Sequence, residues 1–286
     1  MLKIAIQKSG RLSEKSLELL AEAGINVANS DRKLVAQASN FPIALLYLRD
    51  DDIPQCVYDG VADVGVVGEN VLLETGYKLD VVERLGFGKC RMSLAIPKSE
   101  KYDGIAWFNG RKIATSYPKI LQDFLNKNSV QASIHHISGS VEISTGVGIA
   151  DAIFDIVSSG STLISNGLKE VDVALHSEAV MVGKRAQLEQ EPEKIATLEK
   201  LMFRLQAVQK GRKSKYVMLN APAASVEKII SVIPGMKSPT VVPLAQEGWC
   251  SVHSVLPEGQ IWEIIDQLHS LGAQGILVMP IEKMIL

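Results

Sequence analysis

The stretch SGSVEISTGVGIADAIFDIVSSGSTL, residues 138–163, decides how the chain is read, because it sets polar chemistry inside an apolar frame. Glu142, Asp151 and Asp155 are its only charged residues, and they alternate with Val, Ile and Phe side chains that would otherwise build a core. Each carboxylate in such surroundings is costly unless it has partners. Ile149, Ile153, Ile156 and Val157 recur at helical spacing after Gly146-Val147-Gly148, so the periodicity predicts a short helix over residues 147–158. On that helix Asp151 and Asp155 lie one turn apart on one face. Ser158, Ser159, Gly160, Ser161 and Thr162 follow, all small, offering hydroxyls and closely spaced backbone N–H groups, and residues 163–166 can start another helix. A loop of this kind at a helix start cradles a phosphate. The carboxylates one turn back then face whatever carries the phosphate, and carboxylates suit ribose hydroxyls or a hydrated divalent cation. A phosphorylated pentose satisfies both halves. A plainer reading stays open, in which Gly160 closes a helix, the serines are ordinary loop residues and the aspartates are solvated.

Working outward, residues 2–7 alternate as a strand and run through Lys8, Ser9, Gly10 and Arg11 into a helix over 13–23 whose buried face is Leu12, Leu17, Leu20 and Ala21. That cationic turn falls at the carboxyl edge of a sheet, where open α/β sheets bind ligands, so Lys8 and Arg11 are candidate phosphate holders. Residues 43–49 form another strand ending in Arg49. The acids Asp50, Asp51 and Asp52 open a helix there, which suits the helix dipole without further function. A glycine-containing buried strand over 61–67 turns into a helix at Gly68-Glu69-Asn70. Residues 85–97 read as a crossover strand carrying Lys89 and Arg91 into a second lobe, with strands over 112–116 and 132–137. His135-His136 ends one of these and reads as structural, since no carboxylate stands at metal-ligand spacing. The run VDVALHSEAVMVG returns the chain to the first lobe, and residues 194–204 make a helix with Ile195, Leu198, Leu201 and Met202 inward. Two lobes joined by two crossovers make a hinged cleft, the architecture of periplasmic binding proteins, although the pattern alone allows other doubly wound sheets. The expected divisions are 1–88 with 178–210, then 89–177, then 211–286.

Beyond a basic linker, GRKSK at 211–215, the elements read strand 216–220, helix 223–232, strand 240–243, strand 250–256, helix 258–271 and strand 274–279. That βαββαβ order is a ferredoxin-like unit. Ile261, Ile264, Ile265, Leu268 and Leu271 give its second helix one sheet-facing stripe. It carries no evident catalytic group, and small domains of this sort assemble subunits or bind effectors.

Composition narrows the function classes. The chain has 286 residues, 47% hydrophobic and 22% charged, which describes a globular protein of two or three domains. No run of about 18 apolar residues occurs, so no membrane span is expected. The N-terminal MLKIAIQKSGRL has too short an apolar run for a signal peptide, and the cytoplasm is the expected compartment. A net charge of −2 with no basic domain argues against nucleic-acid binding. Cys56, Cys90 and Cys250 are widely spaced, without CxxC or a Cys/His cluster, so neither disulfides nor a zinc site is expected. No P-loop is present, which disfavours ATP cleavage.

The run SGSVEI…GIADAIFDIVSSGSTLISNGL resembles the diphosphoribose-binding segment of the ATP phosphoribosyltransferase family, the first enzyme of histidine biosynthesis; the family more often has Thr where Ser159 stands. IQKSGRLS, the LRDDDIP and ADVGVVGENVL runs, and KYVMLNAP, SPTVVPL and LGAQGILVMPIEKM resemble its long form, so the likeness covers nearly the whole chain. It implies a two-lobed, periplasmic-binding-protein-like α/β catalytic region and an ACT-like ferredoxin-fold regulatory domain. It further implies transfer of the phosphoribosyl group from 5-phosphoribosyl 1-diphosphate to N1 of ATP, with Mg²⁺ arriving on the diphosphate rather than in a dedicated protein site. On that likeness Glu142 and Asp155 hold the ribose, Asp151 and residues 158–162 belong to the phosphoribosyl-diphosphate site, and Lys8, Gly10, Arg11, Arg49 and Arg91 face nucleotide or diphosphate. Histidine, as inhibitor, is placed at Asn220, Met236, Ser238, Thr240 and Gly275, in a homo-oligomer with dimer and hexamer forms. A solute-binding module or an amino-acid-sensing regulator remain the alternatives.

Overall fold

The structure is a computed structural model that describes residues 1–27, 34–233 and 235–286. These divide into two compact units, Met1–Ala21 with Ile25–Glu199, and Glu22–Gly24 with Lys200–Leu286.

In chain order the first unit begins with β1 (Leu2–Gln7), α1 (Arg11–Glu22), β2 (Val35–Gln37), β3 (Ile43–Leu48), α2 (Ile53–Tyr58), β4 (Val64–Gly68), α3 (Glu69–Thr75) and β5 (Asp80–Arg84). The chain crosses to a second sheet through β6 (Cys90–Pro97), β7 (Lys112–Thr115), α4 (Pro118–Lys127), β8 (Ser133–His136), β9 (Ala152–Val157), α5 (Ser161–Ser165) and β10 (Leu168–Ser177). It returns as β11 (Ala179–Gly183), α6 (Arg185–Leu188) and α7 (Pro192–Arg212), whose residues from Lys200 onward belong to the second unit. The first sheet has the order β2-β3-β1-β4-β11-β5 and the second β10-β6-β9-β7-β8. In the first, β3, β1 and β4 are parallel, and β11 inserts antiparallel between β4 and β5. In the second, β7 is parallel to both β8 and β9.

The two crossings touch one another. The Leu85 N–H donates to the Ala179 carbonyl (2.9 Å), and the Ala179 N–H donates to that of Phe87 (2.9 Å). Beside them the buried Asn70 and Ser177 are paired: the Ser177 hydroxyl donates to Asn70 Oδ1 (2.9 Å) and accepts the Asn70 N–H (3.1 Å). A second bond between lobes lies at α4, whose N-cap Tyr117 offers no side-chain cap. Glu74 of α3 supplies one instead, its carboxylate accepting the N–H groups of Lys119 (2.9 Å) and Ile120 (3.0 Å).

Three details differ from the sequence reading. The helix α1 buries Ser13, Ser16, Leu19 and Leu20, with Ala21 exposed; small serines allow closer packing than the leucine stripe expected. The run VDVALHSEAVMVG belongs to two strands in different sheets, β10 and β11, broken at Glu178. And residues 211–215 are no linker. α7 continues through Gly211 and Arg212, where cations suit the carbonyl end of the dipole, and β12 (Ser214–Pro222) follows after one residue.

The second unit continues with α8 (Val226–Val232), β13 (Thr240–Pro243), β14 (Trp249–Pro257), α9 (Ile261–Ser270) and β15 (Gln274–Pro280). Its antiparallel sheet, ordered β13-β14-β12-β15, is that of a ferredoxin-like βαββαβ unit. Val217, Leu219, Val252, Ile229, Ile261 and Leu268 form the core beneath the helices. The other face carries Asn220, Thr240 and Gly275.

Helix α2 packs directly on β4 at Gly65. A Cβ there would lie 2.6 Å from Ile53 Cγ2 and 2.9 Å from Val57 Cγ2. Both neighbours are fully buried and cannot yield. Gly65→Ala is therefore expected to lower stability by about 1–3 kcal/mol through overpacking, read as a fall in the urea midpoint; an unchanged midpoint would show that α2 shifts freely.

Candidate active site

The parallel strands of each sheet end at one edge, and the two edges face a common cleft. In the first sheet Gln7 pairs with Leu48, and the Lys8 N–H donates to the Leu48 carbonyl (2.8 Å), so the Lys8–Gly10–Arg11 turn stands beside Arg49. In the second, the Ser116 hydroxyl donates to the Ile137 carbonyl (2.6 Å) and accepts the Gly139 N–H (3.3 Å), tying the ends of β7 and β8. Between the edges opens a cavity of ≈ 590 Å³, lined by Arg49 and Asp51 on one side and by Ser116, Tyr117, His136 and Ser138 on the other.

The segment expected as a helix over 147–158 is instead a loop followed by the strand β9. Ala152 and Phe154 enter one core cluster, Ile153 and Val157 the other. A central strand buried on both faces is apolar throughout, and periodicity does not separate it from a buried helix. The change moves Asp151 out of the site. It stands at the amino end of β9, accepting the Lys112 N–H (2.8 Å), while Asp155 lies four residues on, about 13 Å at strand rise.

Asp155 shares a face with Ile153 and Val157 and stands opposite Ser93 of β6. Its Oδ1 accepts the Ile156 N–H (2.7 Å). Burial pushes this carboxyl above its ordinary range; the Ile156 bond opposes the shift and the charge of Glu142 adds to it. Glu142 sits on a single 3₁₀ turn, Val141–Ile143, pinned by the buried Val141 and entered through Ser140 at φ 50°. A left-handed non-glycine residue stores local strain and marks a place where geometry is over-determined.

At the carboxyl end of β9 the loop 158–162 turns through Gly160 at φ 82°, with the Ser159 and Ser161 hydroxyls 3.0 Å apart. The N–H groups of Ser159, Gly160 and Thr162 meet no acceptor among the described residues. Backbone donors left open beside a carboxylate pair are the chemistry of an anion-bearing polyol site.

Arg91, expected to face a ligand, does not. Its Nε and Nη2 grip the carboxylate of Glu170 (2.5 and 2.6 Å), and its Nη1 donates to the Ser158 carbonyl (3.0 Å). Two residues of the cavity lining, His136 and Tyr117, and the nearby Asp50 were given no site role in the sequence reading. His136, taken as structural, is exposed on the cleft wall. The Tyr117 hydroxyl is pushed up by burial and then by the charges of Asp155, Asp50 and Asp51. Asp50 has Oδ1 buried with no hydrogen-bond partner among the described residues, and its carboxyl is pushed up to about 6, by burial first and by Asp51 second. Their sequence signals were weak: one acid of three at a helix start, and a Tyr-Pro after a strand.

Fold and site define a two-lobed α/β protein with its ligand cleft at the carboxyl edges of two sheets and a ferredoxin-like domain appended. Comparison with known proteins narrows this. The family model "ATP phosphoribosyltransferase" matches residues 49–207, and that of the HisG C-terminal domain matches 211–283. An ATP phosphoribosyltransferase of Bacteroides thetaiotaomicron is 58% identical over 285 residues, covering 100% of both chains, and one of Cytophaga hutchinsonii is 54% identical, covering 100% of this chain and 99% of that protein. Among solved structures, a chain of the ATP phosphoribosyl transferase (HisG:HisZ) complex from Thermotoga maritima superposes with TM-score 0.62 at 29% identity, over 72% of this chain and 99% of that one. The chain belongs to the ATP phosphoribosyltransferase family, in its long form.

Because the Asp50 carboxyl is raised above its unfolded value, the folded state binds the proton more tightly. Its stabilising contribution is complete below the unfolded pKa of about 3.9 and is lost as pH rises through about 6. Asp50→Asn is thus expected to raise Tm at pH 7.5 and to converge with the native protein near pH 4; a lower Tm at pH 7.5 would mean that a neighbour satisfies Oδ1.

Proposed function

We propose that the chain transfers the 5-phosphoribosyl group from phosphoribosyl diphosphate to N1 of ATP, giving 1-(5-phosphoribosyl)-ATP and diphosphate, as the first step of histidine biosynthesis. The observation that carries this reading is the carboxyl end of β9, where the open N–H groups of Ser159, Gly160 and Thr162 adjoin the carboxylates of Asp155 and Glu142. Family membership over the full length supports it.

In the proposed reaction the adenine N1 lone pair attacks C1 of the ribose as the C1–oxygen bond to diphosphate breaks. N1 is unprotonated at neutral pH, so the bond-forming step requires no strong base, and positioning and electrostatics supply the catalysis. Residues 158–162 hold the 5-phosphate. Asp155 and Glu142 accept the ribose hydroxyls and offset the positive charge that develops at C1. Lys8, Gly10, Arg11 and Arg49, gathered at the facing edge, receive the nucleotide or the diphosphate. Mg²⁺ would arrive on the diphosphate as a substrate-borne ion, since Asp155 and Glu142 are too few to hold it alone and would offer it at most one or two oxygens. Its charge would offset that of the leaving diphosphate. Lobe assignments follow as proposed: 1–88 with 178–210 for the nucleotide side, 89–177 for the phosphoribosyl side, 211–286 for regulation.

The regulatory proposal is feedback inhibition by histidine in a homo-oligomer. Asn220, Thr240 and Gly275 share the open face of the second unit's sheet, Gly275 lying 3.7 Å at its Cβ position from Asn220 Nδ2, and Met236 and Ser238 lead into β13. The same face exposes Val242 and Leu277 at 45% and 50%, apolar surface suited to a second copy of the chain.

Three outcomes test these readings. With ATP, phosphoribosyl diphosphate and Mg²⁺, absorbance should report product; binding of either substrate without turnover would favour a solute-binding role. Asp155→Asn should fold normally and lose about ten- to a hundredfold in kcat, the equivalent of one charge-assisted hydrogen bond of about 1.5–3 kcal/mol; native kinetics would remove Asp155 from the ribose. Histidine at millimolar concentration should inhibit the full-length protein, and Thr240→Ala should blunt that inhibition. Indifference of the native protein would refute the brake, and full sensitivity of the variant would move the pocket elsewhere.

A further inference from the structure

The geometry points to Glu170 as a positioning residue for the loop 158–162, acting through Arg91. The two residues sit on neighbouring strands, β10 and β6, and the loop leaves β9, the next strand in the sheet. Glu170 accepts three bonds: Arg91 Nε at 2.5 Å, Arg91 Nη2 at 2.6 Å and the Ser93 hydroxyl at 2.6 Å. The planar guanidinium, held in this fork, has its direction fixed, which a lysine ammonium would not have. Its remaining Nη1 reaches the Ser158 carbonyl at 3.0 Å.

The consequence follows from peptide planarity. The Ser158 carbonyl and the Ser159 N–H belong to one trans peptide unit and point in opposite directions. Arg91, by gripping the oxygen, turns the Ser159 N–H away from itself, and that N–H is one of the loop's donors without an acceptor among the described residues. Glu170 also occupies the Ser93 hydroxyl, which stands directly across from Asp155, so that hydroxyl is directed to Glu170. Arg91 and Ser93 hold the Glu170 carboxyl below its usual range, keeping the fork charged at neutral pH. Glu170 itself, on the edge strand, is not among the described residues that line the cavity.

This inference rests on the loop's being the 5-phosphate site, and the test separates the two. Full-length Glu170→Gln, Arg91→Met, their double variant, Ser93→Ala and Ser161→Ala are compared by steady-state kinetics and thermal melting. Glu170→Gln and Arg91→Met should each raise KM for phosphoribosyl diphosphate about tenfold, with KM for ATP and kcat nearly unchanged. The double variant should be no worse than either single, because both break one chain of contacts. Ser93→Ala, which removes a single neutral hydrogen bond, should give a smaller rise in the same constant and covers the case in which Glu170→Gln fails to fold. Should kcat and both KM values move together with a large drop in Tm, the role is structural and the inference is overturned. A Ser161→Ala protein with raised KM beside a Ser93→Ala and a Glu170→Gln protein with native KM overturns the tie alone; native KM in Ser161→Ala overturns the phosphate-loop reading and the tie with it.

Discussion

The pairing of the two crossover segments is the constraint on which the remainder of the catalytic unit depends. A chain that leaves one sheet after β5 and re-enters it as β11 could place the second sheet anywhere within reach of two tethers. Reciprocal bonds between Leu85, Ala179 and Phe87, with the buried Asn70–Ser177 pair beside them, bring both tethers to one place. Only then do the carboxyl edges of β1 and β3 lie across from those of β7, β8 and β9. Parallel strands deliver their following loops to a single edge, so one hinge is enough to converge residues as distant in sequence as Arg49, Tyr117 and Ser138.

The architecture was legible where burial was one-sided. The amphipathic α9 and the βαββαβ order of the second unit follow from spacing alone, and the sheet order found there is the one that order implies. Legibility failed where both faces are buried. β9 has no polar face to give a period of two, and its isoleucines happen to fall at helical intervals, so a central strand was read as a helix and Asp151 was drawn toward the cleft. Arg91 failed for another reason. A cation beside an anion-binding loop reads as a ligand contact, and nothing local announces that Glu170, far along the chain, already occupies it. Asp50 and Tyr117 were missed because environment, not residue type, makes them distinctive. The resemblance to the family recovered Glu142, Asp155 and the loop as candidates, which the pattern alone left open between a site and an ordinary turn.

The two walls of the cleft are built by different means. On the first sheet, cations sit on an exposed turn, where hydration leaves them available. On the second, the Asp155 carboxyl is partly desolvated, which raises its proton affinity, and the charge of Glu142 adds to that rise. That arrangement costs stability in the absence of a partner, and groups with compatible hydroxyls or positive charge relieve it. Strain at Ser140 belongs to the same account: the buried Val141 holds the turn, and Glu142 is carried where the turn directs it.

Glu74 carries a consequence for motion. A helix whose first turn is capped from another lobe is a helix whose end is exposed whenever the lobes part. Separation of α3 from α4 would return two N–H groups, those of Lys119 and Ile120, to solvent. A lost cap is worth about 0.5–2 kcal/mol, and the population of an open conformer falls by a factor of about 2–30 for that amount. The same carboxylate therefore biases the lobes toward closure, and hydrogen exchange at the amides of Lys119 and Ile120 follows the population of the open state.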